Sequence, residues 1–389
     1  MITRAFNFIY GLLPHHLSRE VKELYWSTML LNIGMALVQI FEPIYLFSLG
    51  YSLSKIALFY LSVYLLYFII MPLGAKFACY YGTEKSIVIS SVFTVLLYLS
   101  LYGIQLAPGL FYAAVILYAL QKTFYWPAFH ADFAQHIIKT ETGREVSGLK
   151  VSLELLYVIG PVVGGALIAL GGFGALFIAA SFIFLISNLP LLTTKEVFVR
   201  HDFSYGESYK KLFSRENSRR LLAYSGYAEE VVLTFIWPVF MVIIIKDNFE
   251  VGLVASISMG LSLLVTLASG RLMDKQNQRA VLRFSSIIYS LAWALKAFVR
   301  TVGGVFLINS LTWISKNMID VGITTMTYNR AHSGRVMSSV VAFESSLVLG
   351  KIGMLVLLYI IFANLPDLLS AFNFSFLAAG LTSLLYMLL

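Results

Sequence analysis

The chain is poor in cysteine, in charge and in polar runs. One cysteine, Cys79, among 389 residues excludes an intrachain disulfide and a thiolate metal cluster. Asp, Glu, Lys and Arg together make up 12%, about half the ~25% usual in soluble domains. No polar segment is long enough to fold as a separate soluble domain. No GxxxxGK[ST] phosphate loop occurs, so ATP-driven work within this chain is not expected. No HExxH occurs and the six histidines are scattered, which argues against a zinc protease. No metal and no cofactor is expected. The N-terminal stretch has a short apolar run, holds Pro14 and lacks a small-residue cleavage site, so it does not read as a signal peptide. Residues 17–24 are expected to form a short interfacial helix.

What remains is apolar. Hydrophobic residues make up 59%, against roughly 45–50% in soluble domains, and the mean hydropathy is +0.82. A water-soluble fold of this size cannot cover that much apolar surface, so the expectation is an all-α polytopic membrane protein embedded in a lipid bilayer. A spanning helix needs about 20 mostly apolar residues. Twelve such runs occur, at 24–47, 53–77, 86–106, 109–131, 148–170, 173–192, 221–245, 251–272, 281–299, 304–325, 336–362 and 368–389. They are longer than β-barrel strands and do not alternate.

The one long polar connection, 193–220, separates an N-terminal bundle (24–192) from a C-terminal bundle (221–389), with residues 1–23 preceding both. With the N-terminus inside, 21 of the 28 basic residues fall on inner segments and 4 on outer ends. This predicts cytoplasmic termini, a cytoplasmic central loop and a plasma-membrane location. The net charge of +8 is then a property of cytoplasmic loops and not a sign of nucleic-acid binding. A monomer is expected.

The halves look related. Glu42–Pro43 answers to Trp237–Pro238, Lys122 to Lys316, Gly82 to Asn277, and the segment ending at Glu154 to the one ending at Glu344, with offsets of 190 to 195 residues. This predicts two six-helix pseudo-repeats.

The segment GRLMDKQNQR, Gly270 to Arg279, places a glycine, a leucine two residues on, an aspartate four on and then a basic residue: Gly270, Leu272, Asp274 and Lys275. The first-half counterpart has Cys79 at the aspartate position and keeps Gly82 and Lys85. The run GPVVGG supplies Gly160, Pro161, Gly164 and Gly165. On these segments the chain resembles the major facilitator superfamily of secondary transporters. The loop segment is similar to that family's loop signature, with Asn277 where a second glycine is usual. The glycine run is similar to the core of its antiporter-type motif, without the glycines further upstream. The resemblance implies that spans 1, 4, 7 and 10 line a central cavity, that 2, 5, 8 and 11 form the seam between halves, and that 3, 6, 9 and 12 face lipid.

Charges in hydrocarbon are expensive, at least about 2.5–3.5 kcal/mol each on insertion scales, and are therefore hidden from lipid. Spans 3, 6 and 12 carry none. The deep charges are Glu42, Lys122, Glu154, Glu229, Glu230, Lys316, Asp320, Glu344 and Lys351, all on cavity or seam spans. Lys316 and Asp320 share a helix face, as an ion pair or as substrate ligands. Lys122 needs a partner from another helix, either Glu42, Glu229 or Glu230, or an anionic substrate. Glu42, beside the helix-weakening Pro43, suits a protonation site. Glu154 and Glu344 are read as gate residues, each pairing with a basic residue of the opposite half's loop, with proton coupling as the other reading. Asp274, Lys275 and Arg279 are candidates for a loop latch or for a simple solvated loop. Tyr125, Trp126 and Trp237 are candidate cavity aromatics, otherwise packing residues. The expected function is proton-coupled export of small organic or drug-like molecules by alternating access. An importer of a small organic anion, and a non-transporting sensor or lipid-handling protein, are the alternatives.

Overall fold

The computed structural model describes residues 19–136, 142–190, 203–275, 278–331 and 336–389. Among these residues the chain is all helix, with no strand. The helices are α1 (Arg19–Val38), α2 (Phe41–Ser48), α3 (Leu53–Tyr81), α4 (Thr83–Gly103), α5 (Leu110–His136) and α6 (Thr142–Ile186). In the second half they are α7 (Tyr205–Leu212), α8 (Ser218–Tyr224), α9 (Glu229–Val231), α10 (Trp237–Ile245), α11 (Asn248–Lys275), α12 (Gln278–Lys296), α13 (Val302–Ala331), α14 (Val336–Asn364) and α15 (Leu368–Ser383).

Seven stretches among the described residues are long and apolar enough to cross a membrane: Trp26–Ser48, Leu53–Tyr81, Thr83–Gly103, Glu154–Ile186, Ser218–Ile245, Val336–Asn364 and Leu368–Leu388. Two helices outside that group, α5 and α13, are diluted by buried polar side chains: Gln121, Lys122 and Thr123 on α5, and Asn309, Lys316 and Asn317 on α13. Residues 19–24, expected in a separate interfacial helix, are instead the first turns of α1.

Proline and glycine set the breaks. Pro43 lacks an amide hydrogen, and its ring crowds the carbonyl four residues earlier, at Gln39. The helix accordingly interrupts between Val38 and Phe41, and Glu42 comes to lie in the first turn of α2. Pro238 does the same to Thr234. The backbone ahead of it runs through a 3₁₀ turn (Ser225–Ala228), the single turn α9 and a π turn (Val232–Ile236). The expected loop between 170 and 173 is realised as two non-helical glycines inside α6. Gly172, at φ +71°, has a backbone that only glycine adopts cheaply.

Two seams join the halves: α6 packs along α11, and α3 packs along α14. The first is made by missing side chains. A Cβ on Gly252 would overlap the Pro161 carbonyl, and one on Gly165 would sit 2.8 Å from the Asn248 carbonyl. Gly160 and Gly164 do the same towards Ala36 and Leu37 of α1. The glycine run thus lets α6 lie against two helices at backbone distance. A cross-half hydrogen bond from the Val162 amide to Ser256 Oγ, 3.0 Å, adds to this seam. In the central connection, α7 docks on α3 through Tyr209, whose hydroxyl donates to the Phe68 carbonyl at 3.3 Å.

Candidate functional site

The breaks at Pro43 and Pro238 put two carboxylate-bearing turns in the middle of the bundle, and a cavity opens between them. It has two lobes. One, of 260 Å³, is walled by residues of both halves, including Glu42, Tyr64, Tyr118, Lys122, Glu230 and Lys351. The other, of 270 Å³, is walled by Glu154, Tyr157, Trp313, Lys316, Asn317 and Asp320 among others. The lobes share Gln39, Glu230 and Thr234. Gln39 and Thr234 are the residues four before the two prolines, so the helix breaks lie at the junction of the lobes.

Each half carries a buried glutamate held by tyrosine. In the first half, Tyr98 of α4 donates to Glu42 Oε1 at 2.7 Å. In the second, Tyr289 of α12 donates to Glu229 Oε2, and Tyr386 donates to Glu229 Oε1 at 3.0 Å. The lysines differ. Lys316 Nζ reaches Glu229 Oε1 at 2.7 Å and Asp320 Oδ1 at 3.3 Å, and donates to the Tyr386 hydroxyl at 3.1 Å. Lys122 faces rings: its Nζ lies 4.6 Å from the Tyr118 centroid and 5.1 Å from that of Tyr64. Among the described residues no carboxylate lies within 4 Å of it.

Two further pairs stand in the first lobe. Lys351 Nζ pairs with Glu230 at 2.6 Å. His130 Nε2 lies 3.1 Å from Glu344 Oε1, joining α5 of one half to α14 of the other, and Tyr67 of α3 donates to Glu344 Oε2 at 3.0 Å. Trp126 stacks on His130, with centroids 5.6 Å apart, and so orients the imidazole.

The candidate residues therefore separate. Glu42, Lys122, Trp126, Glu230, Lys316, Asp320, Glu154 and Glu344 line the cavity. Glu229 is fully buried behind the wall. Tyr125 and Trp237, candidates for the cavity wall, belong to neither lobe. Tyr125 stacks on Phe129, and Trp237 donates its indole N–H to Asn309 at 2.9 Å. Pro161 and Gly165 sit in the seam against α11, and Gly160 and Gly164 face α1. Gly270, Asp274 and Lys275 belong to the last turns of α11 and Arg279 to the start of α12, and their side chains lie outside the described residues. Sequence reasoning missed His130, Tyr98, Tyr289 and Tyr386. The signal available was the depth of these tyrosines in spans otherwise made mostly of apolar residues.

A helical membrane bundle with a charged, aromatic cavity between two halves is the architecture of a carrier protein. A family model described as Major Facilitator Superfamily matches residues 24–350. The chain belongs to the Major Facilitator Superfamily, and its class is that of a membrane transporter. No curated protein matches the chain.

Proposed function

We propose that this chain is a proton-coupled secondary transporter of small organic molecules. Two six-helix halves, with twelve crossings in all, rock about the central cavity and open it alternately to each side of the membrane. Both termini lie in the cytoplasm, as the basic inner segments favour. One chain encloses the cavity, so a monomer suffices.

The observation that carries this reading is Glu42: a carboxyl at the cavity wall, 5% exposed, held by a tyrosine hydroxyl, with no cation within 4 Å among the described residues. A carboxylate there without a direct ion pair is costly, and protonation removes that charge. A change in that charge biases the balance between two arrangements of the halves. The Glu344–His130 pair spans the halves and supports the gate reading of Glu344, with the partner on a helix and not on a loop.

Close backbone approach accounts for the glycine run. The two lobes together, at about 530 Å³, are within the roughly 300–1,000 Å³ range of small-molecule sites.

The test is proton movement in liposomes that contain the purified protein and a pH-sensitive dye, challenged with pools of small organic solutes. Wild type is expected to acidify the lumen with at least one pool, and Glu42→Gln to abolish the proton signal. Proton movement that persists in Glu42→Gln contradicts the proposal.

A further inference from the structure

We infer that Lys122 receives the acidic group of the transported solute, which makes that solute a small organic anion carried together with one proton. The inference rests on the transport reading above and names its substrate class.

The argument begins with the two matching sets of side chains. In each half a buried glutamate lies on the span that a proline interrupts, a tyrosine from the third span of that half donates to it, and the fourth span carries a buried lysine. In the second half the set is complete: Lys316 already holds Glu229, Asp320 and the Tyr386 hydroxyl. Its positive charge is thus already matched by two carboxylates, and an acidic solute there would add a third negative group. In the first half the set is open. The rings of Tyr118 and Tyr64 attract the charge of Lys122, but they leave its hydrogen-bond donors to the cavity that Lys122 lines.

The other charged groups of this lobe are already matched. Glu230 pairs with Lys351 and Glu344 with His130. Glu42 is the one carboxyl of the lobe left to compete with a solute for Lys122. The tyrosine hydroxyls that face this pair, from Tyr60, Tyr64, Tyr98 and Tyr118, are neutral donors that serve either partner.

Charge balance then ties the solute to the proton. An empty cavity with ionised Glu42 and protonated Lys122 is neutral as a pair. A loaded cavity with protonated Glu42, Lys122 and a monoanion is neutral as well. Binding the anion alone leaves a net negative charge, and binding the proton alone leaves a positive one. Each is costly in a site removed from water. Only the two neutral states pass cheaply between the two arrangements of the halves, so proton and anion cross in the same direction, one for one. The rings of Tyr64, Tyr118, Trp126 and Phe235 suit a compact apolar body on the acid, and the 260 Å³ lobe sets its size.

The experiment is a binding titration on the purified full chain, followed by thermal stability. The probes are monocarboxylates from acetate to 3-phenylpropionate and, in parallel, the corresponding amides. Acids are expected to stabilise wild type at pH 5.5 and to lose affinity at pH 8, while the amides have no effect. Lys122→Met is expected to weaken the best acid by about tenfold or more, the usual scale for one charge-assisted contact. Lys122→Arg keeps part of the affinity. Glu42→Gln binds the acid equally at both pH values. If Lys122→Met does not fold, Lys122→Arg and Glu42→Gln decide the matter through the pH profile.

No preference for acid over amide across the panel, or full affinity in Lys122→Met, overturns the inference. The transport reading fails separately. If the halves keep one fixed separation while acids bind through Lys122, the chain is an anion receptor and not a carrier. If the halves respond to pH through Glu42 without any acid preference, the carrier reading stands and the anion assignment falls.

Discussion

His130 and Glu344, 3.1 Å apart, tie helix α5 of one half to helix α14 of the other. The bond crosses the boundary that has to part if the halves rock, and Tyr67 adds a second cross-half contact to the same carboxylate. Removing it by Glu344→Gln or His130→Leu is expected to favour the arrangement in which these helices separate. A bond worth about 1.4 kcal/mol changes the ratio of states about tenfold. Distance distributions between spin labels on α5 and α14 check this; an unchanged distribution in both variants removes the gate role.

Lys316 and Glu229 are both buried and 2.7 Å apart. Breaking a buried pair from one side leaves an uncompensated charge and costs about 3–5 kcal/mol. Lys316→Met is expected to lower the melting temperature markedly. The double variant Lys316→Met/Glu229→Gln should recover much of the loss, because the one charge left, Asp320, is at the cavity wall and partly exposed. Losses that simply add would show that the two groups are not coupled.

At the seam, Gly252 faces the Pro161 carbonyl with no room for a Cβ. Gly252→Val has to push α6 and α11 apart, at about 1–3 kcal/mol for overpacking. Gly353, with nothing within 4 Å of its would-be Cβ, is the control: Gly353→Ala should leave the melting temperature unchanged or slightly raised.

Asp367 caps α15, accepting from the Ser370 hydroxyl and from the Ser370 and Leu369 amides. The Ser370 hydroxyl, foremost, holds its carboxyl below the ordinary carboxylate value. The folded group is therefore the stronger acid. Its contribution is present above the unfolded value and is lost as pH falls through the lower folded one. Protection of the Leu369 and Ser370 amides from hydrogen exchange, relative to the intrinsic rate at each pH, should fall in acid in wild type. In Asp367→Ala it should be low at every pH.

Much of this was legible from residue order. Apolar runs mark the helices. The Glu42–Pro43 dipeptide announces a broken helix with a carboxylate beside it, because the effect of proline on the preceding turn is local. The pairings were less legible. Lys316 with Asp320 follows from helical spacing, but Lys316 with Glu229 needs two helices to be brought together. Tyr98 and Tyr289 look like any aromatic in an apolar run until their hydroxyls are seen to meet glutamates. Lys296 reads as the outer end of a span, yet it is wholly buried, with its ammonium between Trp237 and Trp293 at 3.9 and 3.8 Å. Trp293, three residues back on the same helix, follows from helical spacing; Trp237 comes from α10 and does not.

The central claim is that the charge on Glu42 governs which arrangement the halves adopt. The most direct measurement places spin labels at Ser54 and Glu250, on the first turns of α3 and α11, in a Cys79→Ser background. The distance distribution is then recorded in lipid at pH 5.5 and pH 8. Wild type should show two separations whose proportions change with pH, and Glu42→Gln should show the same proportions at both. A Glu42→Gln protein that follows pH as wild type does, or a wild type with one separation throughout, would contradict the account.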